Sequence, residues 1–290
     1  MRYTKDFHDY ELIDATDGQR LERWGNIILI RPDPQIMWHH EKKNRLWFSA
    51  DAVYHRSDKG GGWWENLKKV PDVWSIGYNE LTFRLKPMGF KHTGLFPEQA
   101  VNWSLAQKLI REANRPISVL NLFAYTGGAT LAALSAGASV THVDASKGMV
   151  GWAKENAAVS GLADKPVRWL VDDCQKFVKR EIRRGNKYDA VIMDPPSYGR
   201  GPNGEVWKLE QQIGELLSDI GQIISDKPLF FFLNSYTGGL SPTILNYLVK
   251  EYIPPCRNGK VFTDEIGLKV TDKDIVLPCG NTTIWTESDF

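Results

Sequence analysis

An acidic residue at the end of an apolar run, followed at once by two prolines, sets the chemical problem of this chain. The stretch is Tyr188-Asp-Ala-Val-Ile-Met-Asp-Pro-Pro-Ser-Tyr-Gly-Arg-Gly201, with Asp194 delivered behind Val191, Ile192 and Met193. Pro195 and Pro196 hold φ near about −65° and carry no N–H, so the loop is stiff and its carbonyls are open to donors elsewhere. A carboxylate beside carbonyl acceptors suits an amino or amide N–H, and Tyr198 offers a face for a flat ring. Asp194, Pro195, Pro196 and Tyr198 therefore read as the acceptor end of a methyl-transfer site. A proline turn closing a core strand would have the same form. Pro254-Pro255 is the internal control: no apolar strand or acid leads into it, and it reads as a plain loop.

Three further strand ends carry polar marks. Gly127 and Gly128 follow Ser118-Val-Leu-Asn-Leu-Phe123 and let the backbone approach a ligand. Asp144 ends Val140-Thr-His-Val-Asp144, placed to accept from two ribose hydroxyls, and Asp172 or Asp173 ends Val167-Arg-Trp-Leu-Val171, within reach of an adenine amino group. Open parallel sheets bind ligands at this edge. The dinucleotide G-x-G-x-x-G and the P-loop G-x-x-x-x-G-K-[ST] are both missing from Tyr125-Thr-Gly-Gly-Ala-Thr130. A nucleoside without a pyrophosphate, S-adenosylmethionine, fits best.

The elements that must hold these residues alternate from Ile117 onward. Strands end at Phe123, Asp144, Val171, Met193 and Leu233; helices are expected over Ala129–Ala136, Met149–Ser160, the basic stretch from Lys176, and Pro242–Glu251. Val261–Val270 and Asp274–Thr286 supply two closing strands. The alternation implies an α/β fold built on a parallel sheet with helices on both faces. Ahead of it, Val101, Leu105 and Leu109 predict a helix that runs to about Asn114, with Pro97 at its first turn. Residues 1–90 differ: Tyr10–Asp14, Gln19–Trp24, Ile27–Ile30, Leu46–Ser49 and Leu81–Leu85 read as strands, and Gly60-Gly61-Gly62 as a flexible loop. That is a small, mostly β domain, rich in tryptophan, serving as a lid or an RNA platform with Arg31, Lys42, Lys43 and Arg45.

Composition bounds the rest. Apolar residues make up 42%, enough for a full-sized core, and the net charge of +1 excludes a strongly basic nucleic-acid binder but not a local basic face. Cys174, Cys256 and Cys279 form no C-x-x-C pair, which points to a reducing compartment without disulfides or a zinc knuckle. The start has no apolar signal core and no run is long enough to cross a membrane, so a cytoplasmic protein is expected, with no membrane and no metal partner. A homodimer stays open.

Val119-Leu-Asn-Leu-Phe-Ala-Tyr-Thr-Gly-Gly128, Val143-Asp-Ala-Ser-Lys147, Trp152-Ala-Lys-Glu-Asn156 and Asp194-Pro-Pro-Ser197 together resemble the class I S-adenosylmethionine-dependent methyltransferases. More narrowly they are similar to the bacterial family containing large-subunit ribosomal RNA methyltransferases, whose linker before the catalytic domain looks like Lys91-His-Thr-Gly-Leu-Phe-Pro-Glu-Gln99. The resemblance implies a Rossmann-like, seven-stranded, mostly parallel sheet over residues 91–290, with the small β domain in residues 1–90. It implies that Phe123, Ala124, Tyr125 and Gly127 line the methionine and ribose, and that Asp144 holds the ribose hydroxyls. Ala145 and Ser146 would lie beside the adenine, Asp172 and Asp173 at its edge, and Phe96 and Gln99 would close over the cofactor.

Two departures shape the expected chemistry. Relatives that methylate cytosine carbon carry a cysteine nucleophile after the strand matching Leu229–Leu233, where this chain has Asn234-Ser-Tyr-Thr-Gly238. Ser197 stands where ribosomal relatives often have lysine. The reading is a methyltransferase acting on RNA, ribosomal RNA first, at nitrogen or oxygen, with Arg200 and Lys208 available to a phosphate. Two others remain: a methyltransferase for a small molecule or protein side chain, and a cofactor-binding RNA-association module without turnover.

Overall fold

The computed structural model describes residues 1–57, 61–200, 204–257 and 260–287. The chain divides into two compact units, Met1–Val101 with Gly267–Cys279, and Asn102–Ile266 with Gly280–Phe290.

The first unit contains β1 (Arg2–Tyr3), β2 (Tyr10–Thr16), β3 (Gln19–Trp24), β4 (Ile27–Pro32), β5 (Ala52–Arg56), β6 (Gly62–Asn66), β7 (Trp74–Tyr78) and β8 (Leu81–Leu85). Strands β2 to β6 are neighbours in chain order, and β7–β8 form a separate hairpin. Asp17-Gly18, both at positive φ, make the turn between β2 and β3. Strand β3 is buried on both sides, with Leu21 on one and Trp24 and the opposing strand's Leu29 on the other, while in the β7–β8 hairpin Ile76, Leu81 and Phe83 are almost fully buried. Leu46–Ser49 is not the expected strand. Arg45–Phe48 is a 3₁₀ turn, because the Asn44 side chain caps the Leu46 N–H and Trp47 turns inward to donate to Asp14 Oδ2 at 2.9 Å. Of the glycine run, Gly60 lies outside the described residues, while Gly62 opens β6 and pairs with Arg56.

The second unit carries β9 (Ser118–Leu122), β10 (Ser139–Asp144), β11 (Val167–Val171), β12 (Ala190–Met193), β13 (Tyr198–Arg200), β14 (Val206–Lys208) and β15 (Phe230–Ser235). The long strands β16 (Val261–Val270) and β17 (Ile275–Thr286) follow, and their linked ends, Gly267–Cys279, are counted with the first unit. The helices are α1 (Ala100–Glu112), α2 (Gly128–Ser135), α3 (Lys147–Val159), α4 (Cys174–Arg184), α5 (Leu209–Gly221) and α6 (Pro242–Tyr252).

Seven strands run in the order β11-β10-β9-β12-β15-β17-β16. The first five pair in parallel, and β17 is antiparallel to β15. This is the α/β, Rossmann-like, mostly parallel arrangement that the alternation required. Because β9, β10, β11, β12 and β15 are parallel, their carboxyl ends share one edge. The order reverses between β9 and β12, which opens a crevice there. Buried runs such as Phe230-Phe-Phe-Leu233 reflect strands covered on both faces.

Two helical details depart from the sequence reading. In α1 the buried face is Trp103, Ala106, Leu109 and Ile110, so of the Val101, Leu105, Leu109 stripe only the last is buried. Pro254-Pro255 opens a 3₁₀ turn, Pro254–Arg257, rather than a plain loop. The preceding Ile253 is extended, as a residue before proline prefers, and this ends α6.

Candidate active site

The turn after β9 is the most strained backbone of the second unit. Phe123 and Tyr125 lie at φ of 55° and 50°, and Gly127 at 90°. A left-handed non-glycine residue costs on the order of 1–2 kcal/mol, so two in three residues persist only where neighbours fix them. Here they do. The Phe123 N–H donates to Cys174 Sγ at 3.4 Å, and the Tyr125 N–H to Asp144 Oδ2 at 2.8 Å. The Asn156 amide donates to the Thr126 carbonyl at 2.9 Å. The Ala124 and Gly127 N–H groups donate to the Val143 and Ala124 carbonyls. Most N–H groups of the turn are thus spent within the protein, leaving no cradle for a phosphate.

Gly127 and Gly128 were expected to make room for a ligand. Their missing side chains instead make room for protein. A Cβ at Gly127 would lie 3.0 Å from Ala153 Cβ of α3, and one at Gly128 would lie 2.5 Å from Trp103 of α1.

Asp144 ends β10 with both oxygens engaged: Oδ2 by Tyr125 and Oδ1 by the Ser146 N–H at 2.8 Å. Each oxygen keeps a second lone pair, which is what a pair of ribose hydroxyls needs. Burial pushes its carboxyl up from the usual value, against those two backbone bonds. Ser146 caps α3, and half-buried Ala145 lies between it and Asp144. Asp172 and Asp173 are already committed: Asp172 pairs with Arg180, and Asp173 caps α4 through the Lys176 N–H at 2.8 Å.

Beneath this edge a buried chain of bonds links β9, α2 and β10. Asn121 donates to Thr130 Oγ1 at 2.9 Å, and Thr130 meets His142 Nδ1 at 2.9 Å. Burial pushes His142 down to about 3, so the ring is neutral and acts as scaffold.

The acceptor loop follows β12. Asp194 is half-buried, with its N–H on the Leu122 carbonyl of β9, and Pro195 is buried. The carbonyls of the loop are not all open, as the sequence reading had them. Pro196 O accepts from Trp207 Nε1 at 2.6 Å, and Ser197 O accepts from the Leu209 N–H at 3.1 Å. Ser197 Oγ meets Thr237 Oγ1 at 2.6 Å, tying the loop to the segment after β15. Tyr198 is exposed at 53%.

Sequence reasoning missed the residue that joins the two loops. The Trp207 ring lies 5.2 Å from the Phe123 ring while its N–H holds Pro196. Pro202-Asn-Gly204, a turn-forming triplet between two short polar–aromatic runs, was the available signal for its hairpin. The other missed supports are Cys174, under Phe123, and Thr237.

Asp144, Ala145, Ser146, Phe123, Ala124, Tyr125, Gly127, Asp172, Asp173 and Asp194–Tyr198 therefore all follow the carboxyl ends of β9 to β12. Phe96 and Gln99 belong to the first unit. Phe96 packs its ring 5.2 Å from His92, and Gln99 is buried in the 3₁₀ turn Pro97–Gln99 ahead of α1. Burial of Cys174 and Cys256 raises both thiols well above their usual range. Among the described residues no group of three or more His, Cys, Asp or Glu side chains is placed to hold a metal, and no helix is long and apolar enough to cross a membrane.

The chain resembles known proteins in both sequence and fold. The chain spans about a fifth of the length of the curated relatives it matches. It is 33% identical to the ribosomal RNA large subunit methyltransferase K/L of Shewanella frigidimarina over 155 residues, 53% of this chain and 21% of that one. The Pseudoalteromonas atlantica protein of the same name is 33% identical over 161 residues, 55% of this chain and 22% of its own. The solved SAM-dependent methyltransferase of Agrobacterium tumefaciens superposes with a TM-score of 0.94 at 36% identity, over 99% of this chain and 93% of that one. A Streptococcus mutans methyltransferase, 17% identical with a TM-score of 0.74 over 97% of this chain and 76% of its own, shares the fold. Residues 50–226, more than half of the chain, match the family model described as S-adenosylmethionine-dependent methyltransferase, and the chain belongs to that family.

Proposed function

We propose that the chain methylates a nitrogen or oxygen of a ribosomal RNA nucleotide, in the cytoplasm, without a cysteine nucleophile. The observation that carries this reading is the rigid acceptor loop. Asp194 stands at the end of β12, beside β9 and its strained turn, and Trp207 braces one loop against the other. Ala124, Tyr125 and Gly127 would line the methionine and ribose, Asp144 would take the ribose hydroxyls, and Ala145 and Ser146 would flank the adenine. Asp172 and Asp173 would act at the adenine edge only by exchanging their present partners.

The cofactor supplies a methyl already activated on a positive sulfur, so the protein's share is positioning and exclusion of water. Asp194 accepts one N–H of the acceptor and Pro195 O a second, which fixes the base and raises electron density at the attacking atom. Tyr198 stacks on the ring. The thiols of Cys174 and Cys256, held protonated by burial, are unsuited to covalent attack.

The test is labelled-methyl transfer from S-adenosylmethionine to total RNA from cells lacking the chain. Incorporation into large-subunit ribosomal RNA that disappears with Asp194→Ala is the expected result. Label only in a low-mass or protein fraction would refute the RNA acceptor, and cofactor binding without transfer to any fraction would refute turnover.

A further inference from the structure

We infer that the outer face of the β13–β14 hairpin grips the RNA strand next to the acceptor nucleotide through phosphate contacts from Arg200 and Lys208, which share that face with Tyr198, the ring that stacks on the acceptor base. This rests on the proposed RNA reading and assigns the part of the site that holds the polynucleotide rather than the reacting base.

The hairpin register determines which side chains share a face. Tyr198 lies opposite Lys208, Gly199 opposite Trp207, and Arg200 opposite Val206. Side chains alternate along a strand and directly opposed residues share a side, so Gly199 and Trp207 form one face. Tyr198, Arg200, Val206 and Lys208 form the other. The inner face is anchored: Trp207 is only 9% exposed, against Phe123 and Pro196. The outer face is open. Tyr198 is 53% and Val206 47% exposed, and both cations are exposed.

A two-stranded ribbon this short does not hold itself together in water. Its position comes from the Trp207 bonds and from Glu205, which pairs with Lys176 of α4. The ribbon is therefore held in place while an aromatic ring and two cations, with no acid among them, face solvent. This is the composition of a single-strand grip, in which a π-face takes a base and nearby cations take the backbone.

The alternative basic surface does not compete. Four cations of α4 are neutralised by carboxylates: Lys176 by Glu205, Lys179 by Glu215, Arg180 by Asp172 and Arg184 by Glu181. A small acceptor would need only the Asp194 loop. A cationic face continuing directly from that loop suits a chain that extends past the modified nucleotide.

The experiment compares the wild-type chain, Arg200→Ala/Lys208→Ala and the charge-preserving Arg200→Lys/Lys208→Arg. Binding of a short labelled single-stranded RNA of mixed sequence is followed by anisotropy over a salt series, with S-adenosylhomocysteine present. Two lost phosphate contacts should flatten the log–log salt slope by about 1.4, at about 0.7 per contact, and weaken binding by about tenfold or more. Calorimetric affinity for S-adenosylhomocysteine should not move, and the charge-preserving pair should restore both slope and affinity. An unchanged slope in the alanine pair, with wild-type RNA binding and transfer intact, would overturn this inference alone. Failure of the wild-type chain both to bind the RNA and to methylate any RNA would overturn it together with the RNA reading.

Discussion

Glu22 in the first unit and Asp144 in the second are held in opposite ways. In the first, charge is buried and closed on itself. Glu22, fully buried, accepts from Arg31 Nε and Nη2 at 2.6 and 2.7 Å and from the Tyr10 hydroxyl at 2.8 Å. Arg20 lies 3.6 Å from the same carboxylate and pairs with Asp33. Arg31 also stands over the Trp24 ring at 5.1 Å and donates to the Lys91 carbonyl. Burial by itself would push the Glu22 carboxyl up, but Arg31, Arg20 and Tyr10 more than offset it and hold it below the usual range. Fully buried and neutralised by two arginines, this carboxylate is closed to a ligand.

In the second unit, half-buried Asp144 has backbone N–H partners and no cation in either bond, so desolvation wins and its carboxyl rises. On the proposed reading, an acid held at a strand end with lone pairs to spare is what the ribose hydroxyls would meet. Glu22 is closed because its partners neutralise it, whereas the partners of Asp144 only orient it, which is what the proposed cofactor role requires.

The contrast can be broken by mutation, most severely in the closed network. Arg31→Met leaves Glu22 buried with a weaker partner and should destabilise the first unit by about 3–5 kcal/mol, read from the denaturant midpoint. Glu22→Gln combined with Arg31→Met should recover much of that loss. If the single variant unfolded like wild type, the network would not be closed in the sense argued.

Asp194→Ala tests the other end. It should lower kcat about 10²–10³-fold, or about 3–4 kcal/mol, while the denaturant midpoint stays near wild type. A large stability loss with little change in turnover would make Asp194 scaffold.

Asp144→Asn should weaken S-adenosylhomocysteine by about 1.5–3 kcal/mol in calorimetry. The wild-type pH dependence sharpens this. Because Asp144 titrates above the ordinary carboxylate value, cofactor affinity should start to fall at a higher pH on acidification than a normal aspartate would dictate, and the asparagine variant should lose that step. The stability sign is opposite: a raised folded-state value favours the folded protein below the unfolded-state value and loses that contribution as pH rises through the folded one. Trp207→Phe keeps the ring against Phe123 but removes the bond to Pro196. It should cost about 1 kcal/mol and slow transfer modestly, with cofactor affinity unchanged in calorimetry.

Much of the sheet was legible because buried parallel strands are continuous apolar runs, as in Val191-Ile-Met193 and Phe230-Phe-Phe-Leu233, and because Gly161 and Gly185 punctuate the helices between them. The helix Leu209–Gly221 was overlooked although Leu209, Ile213, Leu216, Leu217 and Ile220 have helical spacing and are all buried. Leu46–Ser49 misled because β-type residues there obey a local cap and one tertiary bond to Asp14. In α1 the stripe that the spacing suggested was displaced by the large side chain of Trp103, which needed the space beside Gly128.

The sequence alone determined the order of the parallel strands along the chain, the acids at their ends and the stiffness of Asp194-Pro-Pro, since these depend on local backbone preference and hydrophobic spacing. It did not determine which of those groups were still available. That Asp172 is taken by Arg180, Asp173 by a cap and Pro196 O by Trp207, while Asp144 keeps open lone pairs, was decided by partners between 2 and 19 residues away. A hydrogen bond occupies a group only when folding brings its partner within about 3 Å, and no one-dimensional pattern records that distance.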